Sequence, residues 1–204
     1  MRLYHHPLSS NARRAVMAAL HLGTKVDLVL VDLGKGEQRQ PGYLKMNPNG
    51  RVPVLEDDGF VLWESHAIMQ YLAEKTPGQS LYPQEARGRA DVNRWLFWNA
   101  HHFAPAVGVL NWERMVKRLV GAGDPDPAEV ARGEKLVTQF AGVLDAHLAG
   151  KQWIAQDRLT LADLALATPL MSTAPARLPV ADLPRLQAWF GRVQELDAWK
   201  KTSP

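Results

Sequence analysis

With 204 residues, 46% of them apolar and 22% charged, the chain has the composition of a globular protein able to bury one sizeable core or two smaller ones. It contains no cysteine, which removes disulfides, thiolate metal sites and protein-thiol redox chemistry, and its net charge of +3 is spread too evenly to make a nucleic-acid surface. No apolar run approaches the roughly 18 to 20 residues that span a bilayer, and the start Met1-Arg2-Leu3-Tyr4-His5-His6-Pro7 lacks the apolar segment of a signal peptide, so a cytoplasmic location is expected.

Arg2 to His5 reads as a short strand. Ser9-Ser10-Asn11 then precede a helical pattern with Ala15, Val16, Ala19 and Leu20 on one face, which Gly23 stops. Val26 to Asp32 is a second strand, apolar enough to predict an interior place in a sheet, and the order strand, helix, strand calls for parallel pairing through a right-handed crossover. Residues 34–46 are polar. Gly34-Lys35-Gly36-Glu37-Gln38-Arg39 is superficially like a nucleotide loop, but Arg39 stands at the third glycine position and no Lys-Ser/Thr follows. A solvated loop with a short helix is expected instead.

Val52 to Glu56 and Phe60 to Trp63 flank an Asp-Asp-Gly turn, the signature of an antiparallel hairpin. A helix follows from Glu64 to about Lys75, ended by Thr76-Pro77-Gly78. Residues 77–84 are the best linker, dividing the chain into expected domains 1–76 and 85–204. Beyond the linker the periodicity is helical. Val92, Leu96, Asn99, Phe103, Val107 and Leu110 form one stripe along a long helix that Pro105 should bend. Further helices are predicted near 128–148 and from Leu183 to Leu196, and between them Thr160 with Asp163 forms a capping box, stapled by Leu159 and Leu164.

A small domain of strand, helix, strand, helix, strand, strand, helix, followed by an all-helical domain, resembles the cytosolic glutathione transferase family. Four motifs in order carry the resemblance: a serine after the first strand, Val52-Pro53, Glu64-Ser65 opening a helix, and the Thr160 to Asp163 box. The resemblance covers essentially the whole chain. It implies a thioredoxin-like α/β domain with a mixed four-stranded sheet, then a helical bundle; glutathione as co-substrate, no metal, and a homodimer.

His6-Pro7-Leu8-Ser9-Ser10-Asn11-Ala12-Arg13-Arg14 is similar to the serine-type classes, and the resemblance puts Ser9 at the glutathione sulfur, with Ser10 and Asn11 as rivals. A thiol of pKa about 8.5 is only a few per cent ionised at pH 7, and one hydrogen bond to its charged form, worth about 1.5 to 3 kcal/mol, lowers that value by about one to two units. Serine here is a donor, not a nucleophile; read in isolation, Ser9 or Ser10 equally suits a plain helix cap.

Val52-Pro53 resembles the family's valine and cis-proline, which turns the preceding backbone toward a peptide ligand; an ordinary edge-strand proline is the plain alternative. Glu64 and Ser65 suit a γ-glutamyl end bearing both charges, although a simple helix start would have the same residues. Gln38 and Arg39 match positions that hold the glycyl carboxylate, while Arg51 stands where the family commonly has glutamine.

Trp95, Trp98, His102, Phe103 and Trp112 are candidates for an apolar acceptor pocket, though core and dimer packing would use them as well. The pairs His5-His6 and His101-His102 point apart on strand or helix and make no metal site, and Tyr4 falls to packing. The function implied is glutathione conjugation to a hydrophobic electrophile. The alternatives are a glutathione-dependent isomerase of the maleylacetoacetate type, since Ser9-Ser10 with Arg14 also resembles the zeta motif although Asn11 replaces its cysteine, and a non-catalytic binding protein on the same fold.

Overall fold

The structure, a computed structural model, describes residues 1–203; Pro204, the last residue of the expected helical domain, lies outside them. The chain forms two compact units. One holds Met1–Tyr82 together with the residues from Glu195 onward, and the other holds Pro83–Gln194. The boundary after Tyr82 falls within residues 77–84, while the residues from Glu195 onward, expected in a domain 85–204, group with the first unit.

The first unit is built on a four-stranded mixed sheet in the order β2-β1-β3-β4. β1 (Arg2–His5) pairs parallel with β2 (Asp27–Leu30) and antiparallel with β3 (Val54–Asp57), which pairs antiparallel with β4 (Phe60–Trp63). The hairpin turn has Asp58 at φ 48° and Gly59 at φ 85°, the left-handed pair that a two-residue turn of this hand requires. β2 is a correction. It lies at the sheet edge with Leu28 and Leu30 exposed, because β1 stands between it and β3 and β2 pairs with β1 alone.

Helices α1 (Ser10–Leu22) and α3 (Ser65–Lys75) cover one face of this sheet, where Leu3, Ala15, Val16, Ala19, Leu55, Ile68 and Leu72 are buried together. On the other face Val31, Val52 and Val54 pack with Tyr43 of the short helix α2 (Pro41–Met46). Leu20, expected on the buried face of α1, is 42% exposed. Tyr4 is a packing residue as read: its ring meets Tyr43 edge-on and its hydroxyl donates to Glu56 at 3.1 Å. The closing helix α10 (Asp197–Lys200) is held against α1 by Arg13, whose guanidinium lies 3.7 Å from the Trp199 ring centre and donates to the Trp199 carbonyl at 3.1 Å. That clamp is why the chain end belongs to the first unit.

In the second unit the predicted stripe is buried throughout: Val92, Leu96, Asn99, Phe103, Val107 and Leu110 are each 2% exposed or less. They run along α4 (Ala86–Trp98), a π-helical turn (Asn99–Phe103) and α5 (Ala104–Asn111). Pro105 sits just after that wider turn, at the start of α5, where its missing N–H is accommodated. α6 (Lys117–Leu119) is short, and α7 (Pro127–His147) packs so close to α5 that a Cβ on Gly133 would stand 2.8 Å from Leu110 Cδ2. α8 (Leu161–Ala167) and α9 (Pro184–Gln194) complete the unit.

Asp163, fully buried at the start of α8, accepts hydrogen bonds from Thr160 N (2.8 Å), Thr160 Oγ1 (3.1 Å), Ile154 N (2.9 Å) and Trp189 Nε1 (2.9 Å). Burial nonetheless pushes its carboxyl up to about 6, against the pull of those donors.

Candidate active site

A cavity of about 340 Å³ opens in the first unit, lined by Asn11, Asn47, Asn49, Arg51, Val52, Pro53, Glu64 and Ser65. Three local structures build it. The first is the N-terminus of α1. Ser9 is its cap, with extended backbone (φ −89°, ψ 112°) and a hydroxyl oxygen that accepts from Ala12 N at 3.2 Å. Capping uses an acceptor lone pair of Ser9, so its O–H remains a donor. Of the three rivals, Asn11 lines the cavity, while Ser9 and Ser10 do not.

The second is the loop from Asn47 to Pro53. Asn47, 3% exposed, accepts from Asn49 N (3.0 Å) and Asn49 Nδ2 (2.9 Å) and donates to the Arg51 carbonyl at 2.7 Å. The Tyr43 hydroxyl donates to the same carbonyl at 2.9 Å, and burial keeps that phenol protonated. Gly50 is needed here: at φ 59° it is left-handed, and a Cβ would lie 3.2 Å from the Gln38 carbonyl oxygen. The loop leads into a cis Val52-Pro53 peptide, as the resemblance implied, and then into β3.

The third is the N-terminus of α3. Glu64 precedes it with φ 73°, ψ 110° and caps it with no side-chain hydrogen bond, so the helix start beside the cavity that Glu64 and Ser65 line carries no Asx- or serine-type cap. Ser65 is 4% exposed. Its Oγ accepts from Arg14 Nη1 at 3.5 Å, and the same guanidinium nitrogen lies 3.1 Å from His66 Nε2. Arg14 is 1% exposed; burial lowers its pKa to about 9 while the Glu64 charge raises it, so it is a cation at neutral pH. Burial first, and the Arg14 charge second, push the His66 imidazole down to about 2, and it is neutral.

Gln38 and Arg39 lie outside the cavity lining, on a short 3₁₀ turn (Glu37–Arg39) whose backbone abuts Gly50. Gln38 Oε1 is buried without a hydrogen-bond partner, and Arg39 is exposed. The glycine-containing segment before them is occupied locally: Asp32 accepts from Lys35 N (3.1 Å), and Glu37 accepts from Asp32 N (2.7 Å). In the second unit Trp98 stacks on Phe103 (5.9 Å, 17°) and His102 lies over Phe140 (5.3 Å). Phe103 is wholly buried and belongs to the core, since a side chain without exposed surface can only support a wall; His102 and Trp112 are exposed. Among the described residues no group of three or more His, Asp or Glu is placed to hold a metal ion.

Residues 1–74 match the family description "Glutathione S-transferase, N-terminal domain", and residues 102–197 match "Glutathione S-transferase, C-terminal domain". The chain belongs to the glutathione S-transferase family. Glutathione S-transferase 3 of Zea mays is 37% identical over 99% of this chain and 92% of its own length, and glutathione S-transferase F10 of Arabidopsis thaliana is 32% identical over 97% and 94%. Among solved structures, glutathione transferase F7 of Populus trichocarpa superposes with a TM-score of 0.91 at 29% identity, covering 99% of this chain and 97% of that one. The thioredoxin-like domain, the helical domain and the transferase reading of the sequence therefore stand.

Sequence reading did not bring Asn47 and Asn49 into the site, and it named Arg14 only within the serine motif, not as a buried cation paired with the half-buried His66 beneath Ser65. An arginine among Ala12, Ala15, Val16 and Ala19 was the available signal: a cation on the apolar side of a helix needs polar neighbours.

Proposed function

We propose that this chain binds glutathione in the 340 Å³ cavity and activates its thiol for attack on an electrophilic carbon. The carrying observation is that Asn11, Val52, Pro53, Glu64 and Ser65, which lie up to 54 positions apart in sequence, line one cavity. Its polar character suits a charged tripeptide. The backbone at Val52 meets the cysteinyl unit, and Glu64 with Ser65 takes the γ-glutamyl ammonium and carboxylate at the start of α3. Gln38, Arg39 and Arg51 serve the glycyl carboxylate.

The Ser9 hydroxyl donates to the sulfur, with Ser10 and Asn11 as the alternatives, and the start of α1 adds its dipole to stabilise the thiolate. The expected domain 1–76 holds glutathione and 85–204 the hydrophobic electrophile, against Trp98, His102 and Trp112 with Phe103 behind them. A cytoplasmic homodimer in detoxification is the setting carried over from the family; within the first unit the exposed Phe60 and Trp63 of β4 are consistent with a partner contact.

Thiolate absorbance of the enzyme–glutathione complex against pH tests the sulfur assignment. Ser9→Ala should raise the apparent thiol pKa by about one to two units. An unchanged value would move the role to Asn11 or Ser10. The isomerase alternative has Asn11 at the cavity against it, where the zeta motif carries cysteine; turnover of maleylacetoacetate without conjugation of aryl halides would reinstate it.

A further inference from the structure

We infer that Arg14 is a positioning residue that sets Ser65 as a hydrogen-bond donor into the cavity, and so selects a carboxylate at the start of α3. A guanidinium has only N–H donors, so Ser65 Oγ must accept in the 3.5 Å contact with Arg14 Nη1. A hydroxyl has one proton, and an inward lone pair engaged by a cation turns that proton away from it. Ser65 lines the cavity, so the proton is directed there. What fits an outward O–H beside the first N–H groups of a helix is an acceptor with negative charge, not an ammonium.

The remaining contacts hold Arg14 in this role. It sits in the interior of α1, 1% exposed, with its long stem fixed by burial. Its Nη1 also donates to His66 Nε2 at 3.1 Å, which puts the proton of the neutral imidazole on Nδ1. His66 follows Ser65 on the first turn of α3, so one guanidinium grips two successive residues at that helix start. Because His66 stays neutral, it orients Arg14 without adding charge, and the Glu64 carboxylate favours the charged form of Arg14. The effect on the ligand passes through Ser65, and Arg14 itself is screened from the cavity.

This inference rests on Ser65 holding the γ-glutamyl carboxylate, and a double-mutant cycle separates the two claims. Glutathione affinity is measured by calorimetry on the full chain for wild type, Arg14→Met, Ser65→Ala and the double variant, with conjugation kinetics beside it. Arg14→Met is expected to weaken glutathione about tenfold, appearing in KM with kcat changed less than twofold at saturation. In the Ser65→Ala background the same change is expected to cost less than twofold. Arg14→Lys, which keeps a donor and a charge, should restore affinity to within about threefold of wild type, and it carries the test if Arg14→Met does not fold. Equal losses in both backgrounds, a loss confined to kcat, or an Arg14→Lys variant as weak as Arg14→Met would overturn the inference while leaving Ser65 in place. A Ser65→Ala variant that binds as wild type does would overturn both.

Discussion

Two helix starts in this molecule have opposite solutions to the same problem. At α8 the Asp163 carboxylate reaches back to Thr160 and also takes Ile154 N and Trp189 Nε1, so the end of the helix is closed by the protein's own groups. At α3 the residue in the capping position, Glu64, makes no side-chain cap, its backbone is held at φ 73°, and Ser65 faces a polar cavity. The unpaired N–H groups of a helix start cost free energy unless something satisfies them. A start closed by the chain is a stability device; a start left open over a cavity, with a buried cation behind it, is a place for an anion. Mutations should therefore act on folding at α8 and on binding at α3.

The largest effect expected is at the closed start. Asp163→Ala leaves four donors in the interior and should destabilise the protein by about 3 to 5 kcal/mol in chemical denaturation. A loss below about 1 kcal/mol would break the contrast. The carboxyl also sets a pH signature. Its folded pKa, about 6, lies above the unfolded 3.8, so the folded state binds the proton more tightly, and stability from this group falls as pH rises from about 4 to about 6 and is flat above. Denaturation midpoints of wild type and Asp163→Asn across that window should diverge accordingly.

Next comes Gly133→Ala, where the added Cβ meets Leu110 at 2.8 Å between α7 and α5; overpacking of about 1 to 3 kcal/mol is expected from the thermal midpoint, with glutathione affinity unchanged. At the open start the pattern reverses. Ser65→Ala should weaken glutathione about tenfold, the worth of one hydrogen bond to a charged group, while changing stability by less than about 1 kcal/mol. The smallest effect is at Glu64: glycine adopts a positive φ freely, so Glu64→Gly should hold or raise stability by up to about 1 kcal/mol and still lose affinity for the charged head. Lower stability with intact affinity would place Glu64 in the fold rather than the site.

The sequence revealed unequal parts of this. The hairpin was legible because Asp58-Gly59 is a local signal, and the buried stripe from Val92 to Leu110 because helical spacing repeats along one element. The capping of α8 lies within four residues and was readable for the same reason. Edge and interior strands were not distinguishable: Val26 to Asp32 is apolar, yet which strand borders it depends on β3 pairing with β1, a contact between residues about 50 apart. The return of the chain end to the first unit depends on Arg13 meeting Trp199, which no local pattern announces. In the site, Val52, Pro53, Glu64 and Ser65 were visible as motifs, whereas Asn47 acts through carbonyl geometry in a loop and Arg14 from beneath a helix.

The most direct test of the open helix start uses the ligand rather than the protein. Calorimetric titration of the wild-type chain with glutathione and with its analogue in which the γ-glutamyl α-carboxylate is converted to the amide compares one charge at one position. Glutathione is expected to bind at least tenfold more tightly than the amide. Equal affinities would contradict a carboxylate at Ser65.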